Sequence, residues 1–284
     1  MNVNTLNNNN NVYDSVVTPP RVNDLALWYT ADYIENTTDN SHLTVSHMYD
    51  RSGRGNHLTQ ATAVNQPFRG VSDSSTLFGG KQVVKFTHIG GPAERDATWI
   101  YNFDVDIKNI FGQFSAEVLD PGWGIAMVVG VRNVSTFSAV LDISHDGLSP
   151  TYLRVISEPD GGGFMIKGSG DTDADEGDQM FSAEGTMIMG CVSDGSGAMW
   201  LNQYLKGVAV DWDDSEIETN YPVDPQRLFV DAIVDNRIHM GKAAGVSPME
   251  AHMEVAECLM WNTALTTAER TETLNYLRDK WDCT

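Results

Sequence analysis

Ten short runs rich in β-branched and aromatic residues, separated by clusters of Gly, Asp, Asn, Ser and Pro, follow one another from Asp24 onward. They are "LALWYT" (25–30), "QVVKFT" (82–87), "GIAMVVGVR" (124–132), "SAVLDIS" (138–144), "YLRVIS" (152–157), "GFMIKG" (163–168), "TMIMGCVS" (186–193), "AMWLNQYLKGVAV" (198–210, with room for a turn), "NRIHMGK" (236–242) and "HMEVAECLMW" (252–261). No helical pattern alternates with them, so a parallel α/β sheet is excluded and an all-β sandwich of antiparallel strands is expected. "IAMVVGV" and "VAECLMW" are apolar at odd and even positions alike, the pattern of central strands covered on both sides.

One helix is expected, "TTAERTETLNYLRDKW" from Thr266 to Trp281. Thr266 and Glu269 have the spacing of a capping box, while Leu274, Leu277 and Trp281 fall on one face that packs on the sandwich. At the other end, residues 1–22 are Asn-rich, end near Pro19-Pro20 and carry too few apolar side chains to bury a core. They are expected to form an extended arm that docks on its own domain or on a neighbouring subunit, leaving 23–284 as a single domain.

The 39 acidic and 18 basic residues leave a formal charge of −21. Clustered cations for phosphate contact are therefore missing, which argues against nucleic acid and anionic membranes as partners, and no apolar run is long enough to span a bilayer. An acidic surface suits a protein kept soluble at high density. Cys191, Cys258 and Cys283 are odd in number and lack CxxC spacing, so neither a zinc site nor a disulfide framework is indicated, and Cys191 and Cys258 are expected as buried thiols. The first residues lack the basic and apolar regions of a signal peptide, so folding in a cytoplasm is expected.

Four segments read together: "LALWYTADYI", "VSHMYDRSGRGNHLTQ", "GGKQVVKF" and "MEVAECLMWNTALTTAERTETLNYLRDKW". In order and spacing they resemble the concanavalin A-like lectin/glucanase superfamily, in particular the laminin-G-like jelly rolls of bacterial surface proteins and phage structural proteins. The resemblance covers about residues 24–284. It rests on an Asp-x-Ser-Gly-x-Gly-Asn turn, here Asp50, Ser52, Gly53, Gly55 and Asn56, and on Glu257 of the last strand. A link built from Asn262, Leu265, Thr266, Glu269 and Arg270 completes it. "VSDGSGAMWLNQYLKG" resembles the family's strand, turn and strand, but Lys206-Gly207 stands where Asn-Gly is usual. The resemblance implies a jelly roll of two antiparallel sheets and leaves function open, because the architecture hosts many activities.

"YDRSGRGNHLTQ" (49–60) offers a Gly-x-Gly turn with Arg51, Arg54 and His57, but no helix pattern follows it as a phosphate loop requires. The preferred reading is a turn in which Gly53 and Gly55 take positive φ and Asp50 and Asn56 bond the backbone, with the arginines left to meet an acidic neighbour. "DTDADEGD" (171–178) spaces carboxylates like a calcium loop, yet Glu176 occupies the turn-glycine position and Ser182 the bidentate position. A solvated acidic loop with at most weak Ca2+ binding is expected there. Glycoside hydrolysis needs two facing carboxylates. Glu117 and Asp120 point to opposite faces of any strand, Glu216 and Glu218 lie in an acidic loop context, and Glu254 and Glu257 differ in parity. Trp123, Trp200 and Trp212 beside glycine or acid-rich turns are the candidate sugar platforms. "GSGDT" and "DGSGA" lie in hairpin turns without a nucleophile elbow, and no two histidines have metal-ligand spacing.

These readings converge on a non-enzymatic virion structural protein, a capsid decoration or fibre protein without catalytic residues or a required cofactor. It is expected to contact other virion proteins and its own copies as a homo-oligomer. The alternative is a carbohydrate-binding lectin or adhesin for cell-surface glycans, and a third reading is a glycan-cleaving enzyme.

Overall fold

The computed structural model describes residues 18–39, 42–71, 78–86, 98–103, 105, 110, 122–131, 138–145, 151–157, 164–168, 175–176, 185–193, 199–205, 213–218, 236–242 and 253–283. Among them run the strands β1 Leu25–Thr30, β2 Ile34–Asp39, β3 His42–Met48, β4 Leu58–Thr59, β5 Phe68–Val71 and β6 Gln82–Phe86. There follow β7 Ile100–Phe103, β8 Trp123–Val131, β9 Ser138–His145, β10 Thr151–Ser157, β11 Phe164–Gly168 and β12 Asp175–Glu176. The series ends with β13 Gly185–Ser193, β14 Met199–Leu205, β15 Asp213–Glu218, β16 Asn236–Met240 and β17 Met253–Trp261, before the C-terminal helix α1 Thr267–Trp281.

Every pairing is antiparallel, and the ladder divides at β3, whose other edge carries β2. One branch runs β3–β5–β6–β17–β8–β13–β14–β15, with β1 in line with β6 along β17. The other runs β3–β4–β7–β16–β9–β10–β11–β12. The sheet therefore curls on itself into the two layers of a concanavalin A-like jelly roll, as expected, with the layers continuous through β3. Tyr29 and Val84 of the first branch and Ile100, Leu141, Ile143 and Ile238 of the second belong to one buried core. Burying each such side chain contributes about 1.5–3 kcal/mol.

All residues of β1 and β17 are buried. One face of the pair meets the core and the other meets α1, which covers it with Tyr276 and Trp281. That double cover explains why "VAECLMW" lacks alternation. The helix starts as its sequence requires: the Thr266 hydroxyl accepts from the Glu269 N–H and the Glu269 carboxylate accepts from the Thr266 N–H. Leu274, Leu277 and Trp281 are buried beneath it. No helix among the described residues is long and apolar enough to cross a membrane.

Residues 1–17 of the expected arm lie outside the described residues. The rest of it lies on its own domain: the Pro20 carbonyl accepts from Trp261 Nε1 at 3.1 Å, and Arg21 pairs with Asp24 at 2.8 Å and with Glu269 at 3.4 Å. One expectation is corrected here. Glu216 and Glu218 stand on β15 rather than in a loop, because the acidic segment pairs with β14, Trp200 opposite Glu216 and Met199 opposite Glu218, with a bulge at Ile217 between them.

Candidate functional site

The Gly-x-Gly turn is a structural knot. The Asp50 carboxylate accepts from the backbone N–H groups of Trp28 (3.1 Å), Ser52 (2.9 Å) and Asn56 (3.0 Å) and from the Ser52 hydroxyl (2.8 Å). Asp50 and Asn56 are buried, and Gly53 and Gly55 take φ of +84° and +82°. Such values are free only to glycine. The Asp50 N–H in turn donates to His57 Nδ1 at 2.9 Å. Arg51 is drawn inward within its own chain: its guanidinium lies 4.1 Å from the Trp28 ring centroid and 5.5 Å from that of Tyr33.

Glu257 is the second knot. Its fully buried carboxylate accepts from Trp28 Nε1 (2.7 Å), Tyr276 OH (2.8 Å) and Trp281 Nε1 (2.6 Å), and Lys280 Nζ lies 2.8 Å away. One side chain thus ties β1 to β17 and both to α1. Burial pushes the Tyr276 phenol far above its ordinary range, and the Glu257 charge adds to the effect. Burial likewise raises the Cys258 thiol, again reinforced by Glu257, which leaves it an inert core residue as expected. Cys283 is buried too, its thiol donating to the Trp281 carbonyl at 3.6 Å.

The expected parity of Glu254 and Glu257 is corrected by a bulge. Val255 opposes Val129 while Glu257 opposes Val128, so Ala256 is the extra residue and the two glutamates come to the same face. They still make no open catalytic pair. Glu254 is 1 % exposed, with Lys85 Nζ 3.8 Å from it, and Glu257 is sealed beneath the helix.

The second branch carries a different surface. Its register aligns His47 of β3, Thr59 of β4, Tyr101 of β7, His239 of β16 and Asp142 of β9 in one row. Arg154 of β10 and Lys167 of β11 extend the row in the backbone register. Four strand spacings put His47 and Asp142 roughly 19 Å apart. The row lies on the face opposite Ile100, Ile143 and Ile238, away from the core. Tyr101 and His239 rings are 5.9 Å apart, Lys242 Nζ lies 4.3 Å over the Trp99 ring, and Arg237 stands opposite Ser144. Asp142 (0 %), Ser144 (1 %) and His239 (8 %) form a buried polar floor, with Trp99, Tyr101, Arg237 and Lys242 half-buried around it. Serine, histidine and aspartate thus share one face, but the Ser144 hydroxyl makes no hydrogen bond to His239, so the bonded nucleophile–base pair of a hydrolytic relay is not formed.

Beyond His47 the row meets a cluster at the β2–β3 hairpin. Tyr49 OH donates to Glu35 at 2.6 Å, His47 Nδ1 lies 3.4 Å from the same carboxylate, and the Tyr49 ring centroid is 5.4 Å from that of Tyr33. The bond to Glu35 raises the Tyr49 phenol above its ordinary value, with burial adding to it.

Of the other expected sites, Trp123 is corrected: it is 4 % exposed in the core on β8, since the segment after Gly122 runs as a central strand rather than a rim turn. Glu117, Asp120, Trp212 and Lys206-Gly207 lie outside the described residues, as does most of 171–178, of which Asp175–Glu176 forms β12 against β11. No cluster of metal-ligating side chains occurs among the described residues. The polar row itself was missed, although its members on β9, β10, β11 and β16 sat in expected strands. Its signal was the polar residue inside each apolar run, Asp142, Arg154, Lys167 and His239.

No protein-family profile matches the chain, and no curated protein sequence does. Solved structures do. An arabinofuranosidase in complex with arabinofuranosyl-α-1,2-xylobiose superposes with TM-score 0.52 at 15 % identity, over 84 % of this chain and 52 % of that one. The Trypanosoma rangeli sialidase gives TM-score 0.43 at 11 % identity, over 90 % of this chain and 33 % of that one. The botulinum neurotoxin serotype D binding domain gives 0.45 at 9 %, over 91 % and 51 %. The chain spans about half the length of the arabinofuranosidase it matches, and the likeness is one of fold: a concanavalin A-like β-sandwich.

Proposed function

We propose that the protein is a non-enzymatic structural protein of a virus particle, displayed on the outside as a capsid decoration or fibre protein and acting by docking. The observation that carries this reading is the fate of Glu257 and Glu254. Both carboxylates brought to one face of β17 are buried against lysines and serve to hold strands and helix together. A charge of −21 supports solubility in dense display. Docking uses the sandwich surface and the arm, whose residues Pro20 and Arg21 are fixed to β17 and α1. The partners are copies of the chain and other particle proteins, after synthesis in the host cytoplasm.

Light scattering on the purified chain tests this. The full chain is expected as a discrete homo-oligomer, and deletion of residues 1–17, which keeps the Pro20 and Arg21 contacts, as a monomer with an unchanged melting temperature. A full chain that stays monomeric at all concentrations speaks against the proposal. A second reading, a carbohydrate-binding adhesin, is favoured by one observation: the row of aromatic and hydrogen-bonding side chains across β3, β4, β7, β16 and β9.

A further inference from the structure

An edge strand offers a row of unpaired N–H and C=O groups, a template on which another strand can form. β1 has closed its outer edge. The Trp28 N–H donates to Asp50, the Trp28 carbonyl accepts from the Arg51 N–H at 2.9 Å, and the Ala26 carbonyl accepts from Ser52 Oγ at 3.2 Å and Asn56 Nδ2 at 3.3 Å. β2 has not closed its own. It pairs with β3 alone, and Glu35 and Thr37 are exposed. The Tyr49 N–H donates to the Tyr33 carbonyl at 3.2 Å, so Tyr33 faces β3 and Ile34, the next residue, turns its backbone groups outward. The Val45 N–H donates to the Pro67 carbonyl at 2.8 Å, away from β2, so the backbone groups of Asn36 opposite it also point outward. The bulge in this pair falls at Ser46 on β3, which leaves β2 itself regular. Leu43, opposite Thr38, is 50 % exposed beside the same edge.

We propose that β2 of one copy takes residues 12–18 of a neighbouring copy as an added strand. The assignment rests on the display reading above and names the surface on which the arm docks. Residues 12–18, "VYDSVVT", hold three valines and a tyrosine, residue types that suit a pleated edge, and follow the asparagines of 7–11, which do not. The arm leaves the domain where β1 begins, because Pro20 and Arg21 are held at Trp261 and Glu269. Extended, 12–18 spans roughly 20 Å, about the length of β1, and β2 starts only where β1 stops. Within one copy the β-forming residues therefore reach only the closed edge of β1, and asparagines are what would reach along β2. A neighbouring copy brings the valines to the open edge. A second β2 is the poorer occupant: β2 carries Glu35 and Asp39 and no cation, so two of them bring like charges together. Residues 1–20 carry one charged side chain, Asp14. Main-chain hydrogen bonds to Ile34 and Asn36 supply the attraction, and alternate side chains of the added strand set its register.

The test is disulfide trapping between full-length chains, with oligomer mass read by light scattering. One chain carries Val16→Cys or Val17→Cys and the other Glu35→Cys, a position whose backbone faces β3 and which therefore makes a closely spaced pair with any strand added outside it. Mixed and oxidised, the two are expected to give a covalent dimer, and Arg54→Cys on the closed edge of β1, used in place of Glu35→Cys, is expected to give none. Asn36→Pro removes an outward N–H without removing a bond to β3, and is expected to leave a monomer whose near-ultraviolet circular dichroism matches wild type. The arm variant Val16→Asp with Val17→Asp, which leaves β2 untouched, is expected to do the same. Trapping at Arg54 equal to that at Glu35, trapping only inside a chain that carries both cysteines, or Glu35→Cys chains linking to each other rather than to the arm overturns the exchange. An oligomer that survives both Asn36→Pro and the arm variant also overturns it while leaving the display role standing, whereas a wild-type chain that is monomeric at all concentrations removes both.

Discussion

At the scale of the residue, Glu257 answers three neutral or aromatic donors and a lysine with one carboxylate. Changing it to glutamine replaces one acceptor oxygen with an amide that opposes the Trp28 or Trp281 N–H, and leaves the Lys280 ammonium without its counter-charge. Breaking a buried pair in this way costs about 3 kcal/mol, to be read as a lower urea midpoint at unchanged slope. Two glycines make a sharper contrast. At Gly53 a Cβ meets nothing within 4 Å, so Gly53→Ala carries only the left-handed backbone penalty of about 1 kcal/mol. At Gly241, φ +87°, a Cβ falls 2.2 Å from Phe86 Cδ1, so Gly241→Ala is expected to lose more than twice as much in the same denaturation experiment.

At the scale of the element, α1 is held at its start by a reciprocal cap that also reaches the N-terminal segment through Arg21 and Glu269. Thr266→Ala is expected to cost about 1 kcal/mol. Burial pushes the Glu269 carboxyl upward, but the bonds from Thr266 and the charge of Arg21 outweigh it and hold it below the ordinary value. A group depressed in the folded state stabilises above its unfolded pKa of about 4.3 and loses that contribution as pH falls through the folded value. The gap in melting temperature between wild type and Glu269→Gln should therefore be full at neutral pH and close as pH drops below about 4.3. This helix was legible in the sequence because cap, periodicity and burial agree. The signature turn was legible for the same reason, each of Asp50, Gly53, Gly55 and Asn56 being a residue type with a local geometric job. The β2–β3 hairpin was not: "IENTTD" is an edge strand with few apolar residues, stabilised by cross-strand contacts such as the Thr37 and Thr44 hydroxyls at 2.9 Å. The facing of Glu254 and Glu257 escaped because a bulge is set by pairing with β8 and changes no residue type.

At the scale of the whole molecule, the two branches of the curled sheet divide the labour. The first, with β1, β17 and α1, spends its charged and aromatic side chains on closing the fold, so that Pro20, Arg21 and Trp28 meet β17 and α1 at Trp261, Glu269 and Glu257. The second turns a polar row away from the core. The sandwich was readable from the spacing of apolar runs, whereas the row exists only through strand register between segments as distant as Thr59, Tyr101 and His239. The same division underlies the proposed non-catalytic role: the carboxylates that share a face of β17 are structural, and surface contacts do the work. The most direct measurement is mass-spectrometric detection of products after incubating the full chain with a panel of polysaccharides. A docking protein without a catalytic pair is expected to cleave none of them. Cleavage by wild type that Glu254→Gln or Glu257→Gln abolishes, in a variant whose near-ultraviolet circular dichroism still matches wild type, would contradict it.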